Sequence, residues 1–254
     1  MAATTRGVLL TDRHRGAQLA LRAVFLTELH RLWPLLDPLR LTTTASAWLD
    51  LAVGLVLGYR TRSAEISLSY YDRFRTAETR HPPIETATIR SLLTPVDPAA
   101  VQTSLLVTGP GTIIRQLGRG ADPEQADRKA LVAVSGAASR HVLNGGRDAL
   151  DTAVAHDAVA LGYARVTGPN PCAFCAVLAS RGPVYTSAAS AAGAKDYHDF
   201  CMCTVEAVYD ADAPWPGRAR EFEALWEKTS AEYSKNGPMN QFRRAYEGRS
   251  TPQK

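Results

Sequence analysis

Apolar residues recur at every third or fourth position through much of the first half of the chain, which is the spacing of helices that bury one face. The first stripe lies within residues 15–36 and comprises Leu19, Ala23, Leu26, Leu29, Trp33 and Leu36. The second follows three threonines at 42–44, which are good N-cap residues, and comprises Trp48, Ala52, Leu55, Tyr59, Ile66, Tyr70 and Phe74. The pattern predicts two long amphipathic helices.

Prolines and glycines divide the region that follows into shorter predicted helices, at 99–107, 112–117 and 147–156. His81-Pro82-Pro83 is expected to end the second long helix. Asp122-Pro123 predicts another helix start, because an N-cap aspartate precedes a proline of the first turn. Asn144-Gly145-Gly146 is expected to end that helix, since glycine destabilises a helix interior.

The pattern changes near residue 159, where short β-rich runs bounded by turn residues predict strands at 159–166 and 204–209. Beyond a linker of alanine and proline, a helix is predicted with an apolar face of Phe222, Leu225, Trp226 and Tyr233. The predicted fold class is therefore mainly α with a small C-terminal α+β module. Three parts are expected: an α-helical region at 1–146, the module with the cysteines at 147–212, and a separate amphipathic helical tail at 213–254.

Composition and charge narrow the class of protein. Hydrophobic residues make up 45% of the 254 but aromatic residues only 7%, which favours closely packed helices over a β-sandwich. The net charge is +4, without a block of like charges of the kind that binds nucleic acid. The longest apolar stretch, 49–59, is shorter than the roughly 20 residues of a membrane helix. A soluble protein made in a cytoplasm, without a secretory signal or a membrane partner, is expected.

Four cysteines and one histidine near the end of the chain are its strongest chemical signal. They form the patterns Cys172-x-x-Cys175 and His198-x-x-Cys201-x-Cys203. Cysteines three apart in a turn can face one ion, and cysteines two apart in a strand share a face. Zinc is the metal that thiolate and imidazole ligands favour. Five candidate ligands compete for four tetrahedral positions, so four cysteines, or three cysteines with His198, satisfy the geometry equally.

Other interpretations of the cysteines remain open. Cys172 and Cys175 follow a strand and precede a helix, as a redox pair does. The four thiols can instead form two disulfides outside the reducing cell, or pack as unpaired side chains. A thiol beside His198 would also supply a nucleophile and its base. The sequence contains no G-x-S-x-G elbow, phosphate loop or H-E-x-x-H helix, and the five remaining histidines are expected at packing or surface positions.

Five short runs around the cluster form a recognisable set. They are Arg147-Asp148, Gly162-Tyr163-Ala164-Arg165-Val166, Pro171-Cys172-Ala173-Phe174-Cys175, Ser180-Arg181-Gly182-Pro183-Val184-Tyr185 and His198-Asp199-Phe200-Cys201-Met202-Cys203. Together, over residues 147–209, they resemble the MuF-like minor capsid proteins of tailed bacteriophages, of the type found in actinobacteriophages. The helical region that precedes them is similar in kind but carries no motif of its own.

The resemblance implies a minor capsid protein of the virion, assembled in the host cytoplasm, that acts in head morphogenesis at or near the portal and has a role in DNA packaging or delivery. The implied partners are the portal protein, the major capsid or scaffold proteins, and packaged DNA. A structural role is favoured over an enzymatic one. Two alternatives stay open: a capsid maturation protease, a label that many actinobacteriophage relatives carry, and a zinc-containing nucleic-acid-binding protein, although the module carries few basic residues for phosphate contacts.

Overall fold

The computed structural model describes residues 2–183, 197–230 and 237–248. Its helices are α1 (Thr5–Leu32), α2 (Leu41–Thr79), α3 (Thr86–Leu92), α4 (Pro98–Thr108), α5 (Pro110–Leu117), α6 (Pro123–Ala155), α7 (Ala173–Ala179), α8 (Ala219–Ser230) and α9 (Pro238–Tyr246). A 3₁₀ turn at Trp33–Leu35 follows α1, and β1 (Gly162–Val166) pairs with β2 (Thr204–Val208). The predicted fold class, mainly α with a small α+β part, is confirmed. Three predicted positions, Val184 and Tyr185 of the resemblance and Tyr233 of the tail, lie outside the described residues.

Three long helices, α1, α2 and α6, form a helical body around a shared core. The stripe predicted for α2 is confirmed, since five of its seven members are buried: Trp48, Ala52, Tyr59, Tyr70 and Phe74. The predicted threonine N-cap of α2 is wrong, because the helix begins at Leu41 with Arg40 at the N-cap position. The helix start at Asp122 is confirmed, and its side chain accepts a hydrogen bond from the Gln125 amide.

Helix α1 begins ten residues before its predicted start and buries a different face. The Thr4 hydroxyl caps it by accepting a hydrogen bond from the Gly7 amide, at 2.9 Å. Leu19, expected in the core, is 41% exposed. The N-terminal half instead buries polar side chains, among them His14, whose ring stacks on Tyr70 at 4.3 Å between centroids. Periodicity of apolar residues could not reveal this face, because hydrogen bonds rather than apolar contacts hold it.

The helix break predicted at Asn144-Gly145-Gly146 is wrong, because α6 continues through these residues to Ala155. The glycines let α2 approach closely: a Cβ at Gly145 would lie 2.2 Å from the backbone carbonyl oxygen of Arg60. The amide of Gly146 donates a hydrogen bond to the Ser63 hydroxyl at 3.0 Å. Helix packing therefore outweighs the low helix propensity of glycine, and residue 146, predicted as a domain boundary, lies within α6.

The two strands are antiparallel, with Gly162 opposite Val208 and Val166 opposite Thr204. Both strands are buried along their whole length, because α2 and α6 cover one face and the segment around Trp215 packs on the other. This sheet places the residue before β2, Cys203, next to the helical body.

The tail helices α8 and α9 pack directly on α7. Phe222 and Phe242 contact the alanines of α7, and the Tyr246 hydroxyl donates a hydrogen bond to the carbonyl of Pro171 at 2.7 Å. The tail expected at 213–254 therefore packs against the helix that carries Cys172 and Cys175. We call α7, α8 and α9 together the C-terminal helical cluster.

Helix α2 is long and apolar enough to cross a membrane by length and composition alone. The apolar stretch 49–59 within it is by itself too short to span a membrane, which is why the sequence did not predict this property. In the described part of the chain, Trp48, Ala52 and Val56 of α2 are fully buried in the helical core, so this face of the helix has a packing role.

Candidate metal centre

The first half of the candidate site lies at the start of α7. Cys172 is the N-cap residue, with an extended backbone, and its sulfur accepts a hydrogen bond from the Cys175 amide at 3.4 Å. Pro171 precedes it and restricts the chain to a conformation compatible with a helix start. The cap and the first turn therefore bring the Cys172 and Cys175 thiols together, within 4.8 Å of each other.

The second half lies on a tight turn from His198 to Cys201. The Cys201 amide donates a hydrogen bond to the His198 carbonyl at 3.0 Å, and Phe200 takes a left-handed conformation with φ of 64°. Such a conformation is uncommon for a phenylalanine and is stabilised here by the surrounding contacts. The turn points His198 and Cys201 toward α7, and Cys203 follows directly before β2.

All five residues predicted as ligands converge in the structure. They form two groups, Cys172–Cys175–His198 and Cys175–Cys201–Cys203, and within each group the donor atoms lie within 4.8 Å of one another. Cys175 belongs to both groups. Its Sγ atom is 3.5 Å from His198 Nε2 and 3.5 Å from Cys201 Sγ. All four cysteines are free thiols, so the structure contains neither of the two disulfides considered from the sequence.

The spacing of the donor atoms fits a tetrahedral zinc site. Ligands at about 2.3 Å from zinc are about 3.7 Å from each other, close to the two distances around Cys175. The Cys172 sulfur, 2.9 Å from His198 Nε2, lies closer to the ring than such a site requires. Either a four-cysteine set or a three-cysteine set with His198 remains compatible with these positions.

The His198 ring is oriented by its own backbone neighbour. Nδ1 lies 2.6 Å from the carbonyl oxygen of Asp199, and a proton on Nδ1 makes this a hydrogen bond. The other nitrogen, Nε2, then carries its lone pair toward the thiols of Cys172 and Cys175. Metal-binding histidines are commonly held by such a hydrogen bond from the second ring nitrogen to a carbonyl.

The thiols cannot all ionise while they face one another without a cation. The hydrogen bond with Cys175 lowers the pKa of Cys172 to about 5, assisted by the Cys175 amide and His198. Hydrogen bonds from Cys175 and Cys203 hold the pKa of Cys201 well below its usual range. The same contacts, with burial, raise the pKa of Cys175. Mutual hydrogen bonds thus shift the pKa values of neighbouring thiols in opposite directions, and a divalent cation would favour the thiolate form of its ligands.

Arg147, a buried residue of α6, supports the second half of the site. Its guanidinium donates hydrogen bonds to the carbonyl of Cys201 at 2.8 Å and to that of Cys203 at 3.1 and 3.2 Å. The ring of Tyr197 lies 3.7 Å from its guanidinium carbon. Its positive charge favours thiolates at both cysteines. Arg147 belongs to the runs that carry the resemblance, but nothing in its sequence context predicts a role beside the cysteines.

Arg165, on β1, also lies beside the thiols. It is 3% exposed, and its guanidinium carbon is 4.2 Å from the centroid of the Tyr197 ring. In the sequence, Arg165 stands between two apolar residues of a short predicted strand. This pattern could have identified it as a site residue, because a buried charge needs nearby compensation. The two guanidinium groups make the surroundings of the cluster electropositive.

Comparison with known proteins gives one informative match. The family model of the VG15 protein matches residues 9–229, which includes the helical body, the sheet and the whole Cys/His cluster. Neither curated proteins nor solved structures give a significant match. Because the family model covers most of the chain, from α1 to α8, this protein belongs to the VG15 protein family, a family associated with bacteriophages.

Proposed function

We propose that this chain is a minor capsid protein that acts in phage head morphogenesis at or near the portal, and that one structural zinc ion organises its C-terminal part. Membership of a phage-associated family supports a role in the phage life cycle. The resemblance to MuF-like proteins supports the placement in the head, with the portal, capsid or scaffold proteins as partners. Packaged DNA is a further partner under this proposal.

The convergence of four thiols and one imidazole from separate segments carries the proposal of a structural metal. Three of the thiols, on Cys175, Cys201 and Cys203, are at most 3% exposed. Zinc sites rich in cysteine and closed by protein ligands are characteristically structural, whereas catalytic sites keep an open position. Bound here, zinc would join α7 to the turn before β2 and would supply the positive charge that the buried thiolates require.

We expect the protein, purified from a reducing cytoplasm, to contain about one zinc per chain, because the donors converge on one position. Elemental analysis measures this content. Cys175→Ser is expected to lose most of the zinc, since Cys175 belongs to both donor groups. His81→Gln, at an exposed position remote from the cluster in sequence, is the control and should retain it.

Two outcomes would contradict the zinc proposal. A folded, metal-free protein with four titratable thiols would leave the cluster as packing or as a reactive thiol site. Two disulfides found in mature particles would show that oxidation rather than zinc organises the module.

We expect the chain to be found in purified heads, in few copies relative to the major capsid protein. Expression together with portal, scaffold and capsid proteins, followed by quantitative mass spectrometry of the heads, tests this. Omitting the portal protein provides the control, because a protein placed by the portal should then be lost while the capsid still assembles. Equal recovery from heads with and without the portal would refute the placement.

One observation favours a second candidate, a cysteine peptidase that matures the capsid. The exposed Cys172 sulfur lies 2.9 Å from His198 Nε2, and the Asp199 carbonyl orients the other ring nitrogen. This is the arrangement of a thiol nucleophile with its base. In the same co-expression, cleavage of the capsid protein that stops with Cys172→Ser but survives metal chelation would replace the structural proposal with this one.

A further inference from the structure

The two halves of the cluster are carried by parts of the protein with different main packing partners, which also meet where α7 contacts β1. Cys172 and Cys175 are carried by α7, whose apolar side chains pack on α8 and α9 in the C-terminal helical cluster. The turn with His198 and Cys201 instead lies against the helical body. The Cys/His site is therefore a junction between these two parts.

Contacts with one face of α6 hold the turn in place. The Phe200 ring lies on Gly136, where a Cβ would come within 2.5 Å of it. Arg140 pairs with Asp199 at 2.8 Å, and Arg147 donates to the Cys201 carbonyl. Positions 136, 140 and 147 are spaced by four and seven residues and so share a helix face. This half of the site would keep its position without a metal.

Solvent reaches the cluster at one edge. Cys172 is the exposed thiol, and its partner His198 is also exposed, whereas the thiols of Cys175, Cys201 and Cys203 are buried. A soluble reagent therefore meets Cys172 first. The buried thiols become accessible only through a local opening of the structure.

We infer that Cys172 is an oxidation site: its thiolate attacks low-molecular-weight disulfides, the metal centre thereby loses two ligands, and the zinc link between the C-terminal helical cluster and the helical body is broken. This inference rests on the zinc site proposed above. The zinc link between the two parts would then persist in a reducing cytoplasm and be lost in an oxidising medium. That outcome is the opposite of two disulfides locking the module.

The chemistry requires two exchange steps. The Cys172 thiolate attacks one sulfur of the small disulfide, a new S–S bond forms to Cys172, and the other half of the reagent leaves as a thiolate. The Cys175 thiolate, whose sulfur starts within 4.8 Å, then attacks Cys172 Sγ and displaces the second small thiolate. Two cysteine thiolates are oxidised to one disulfide, and the reagent is reduced to two thiolates. Two ligands are lost, so three donors remain: His198, Cys201 and Cys203.

Oxidised glutathione is the probe, applied to the full zinc-loaded chain. Peptide mapping by mass spectrometry follows each cysteine, and a chromogenic chelator follows zinc release. We expect Cys172 to react at least about tenfold faster than Cys201 and Cys203, because these require a local opening. Zinc should appear at the rate at which the Cys172–Cys175 disulfide forms. In denaturant, where burial is abolished, the four cysteines should react at similar rates.

A matched variant separates this inference from the zinc proposal. Cys172→Ser leaves four donors, so zinc that it retains should be released by the disulfide at least about tenfold more slowly than from the native chain. If the variant holds no zinc, the order in which the cysteines of the native chain are labelled still tests the inference. Labelling of Cys201 or Cys203 before Cys172 would overturn the inference. Absence of zinc with Cys172 labelled first would overturn the zinc proposal, and with it the loss of a metal link, but would leave Cys172 as the oxidation site.

Discussion

Replacing Gly145 by alanine is expected to destabilise the protein by about 3 kcal/mol, although alanine is the better helix former by about 1 kcal/mol. The new Cβ would lie 2.2 Å from the Arg60 carbonyl oxygen and 2.9 Å from its carbon. Both are backbone atoms of α2, so relief requires that two long helices move apart. Urea unfolding followed by circular dichroism measures the loss.

Gly54 and Gly58 of α2 are the controls for this substitution. No heavy atom lies within 4 Å of a Cβ built at either position. Alanine at each is expected to stabilise the protein by roughly 0.5–1 kcal/mol, since only helix propensity changes. A Gly145→Ala protein as stable as these controls would mean that α2 and α6 are not in close contact.

Replacing Asp157 by alanine is expected to cost about 3–5 kcal/mol, because it leaves a buried arginine without its partner. The Asp157 carboxylate, 1% exposed, accepts hydrogen bonds from Arg75 at 2.8 and 3.2 Å. It also accepts from the hydroxyls of Tyr71 at 2.9 Å and Tyr209 at 3.1 Å. These contacts join α2 to the segments that follow α6 and β2. Urea unfolding again measures the change.

The double variant Arg75→Met with Asp157→Ala should lose less stability than the Asp157→Ala protein, since no unpaired charge remains. A larger loss in the double variant would refute the account of an ion pair.

The acid side of the pH profile provides a second measurement. Burial alone would raise the pKa of Asp157, but hydrogen bonds from Arg75 and the Val159 amide hold it below its ordinary value.

The sign of this pH dependence follows from the lowered pKa. Above the ordinary pKa of the carboxyl the ion pair contributes its full stability, and the contribution is lost as the pH falls through the lower value in the folded state. The native protein should therefore lose more stability between about pH 5 and pH 2 than Asp157→Asn does. Parallel pH profiles of the two proteins would contradict the assignment.

The start of α6, and the residue types that could form a metal centre, were predictable from the sequence. Asp122-Pro123 marks a helix start because an N-cap and a proline act within one turn. The five metal-centre candidates were found because thiols and imidazoles are rare and chemically specific. The class of fold followed from apolar spacing in the same way, since each of these signals depends on interactions between near neighbours.

Features that depend on residues distant in the sequence could be determined only from the tertiary structure. Gly145 ends no helix because α2 approaches it, and a glycine stop signal of about 1 kcal/mol is outweighed by the packing of two long helices. The polar face of α1 is buried because its partners lie on α2.

Contacts between residues distant in the sequence also determine the geometry of the site, so the sequence alone did not predict it. Spacing brought Cys172 near Cys175, but the contact of Cys172 with His198, 26 residues away, needed the turn held on α6. Arg147 supports that turn from a helix more than fifty residues earlier in the chain. Exposure of Cys172 and burial of the other thiols likewise follow from how α7 meets the helical body. Local patterns determine which chemistry is present, and long-range packing determines which groups meet and which of them solvent can reach.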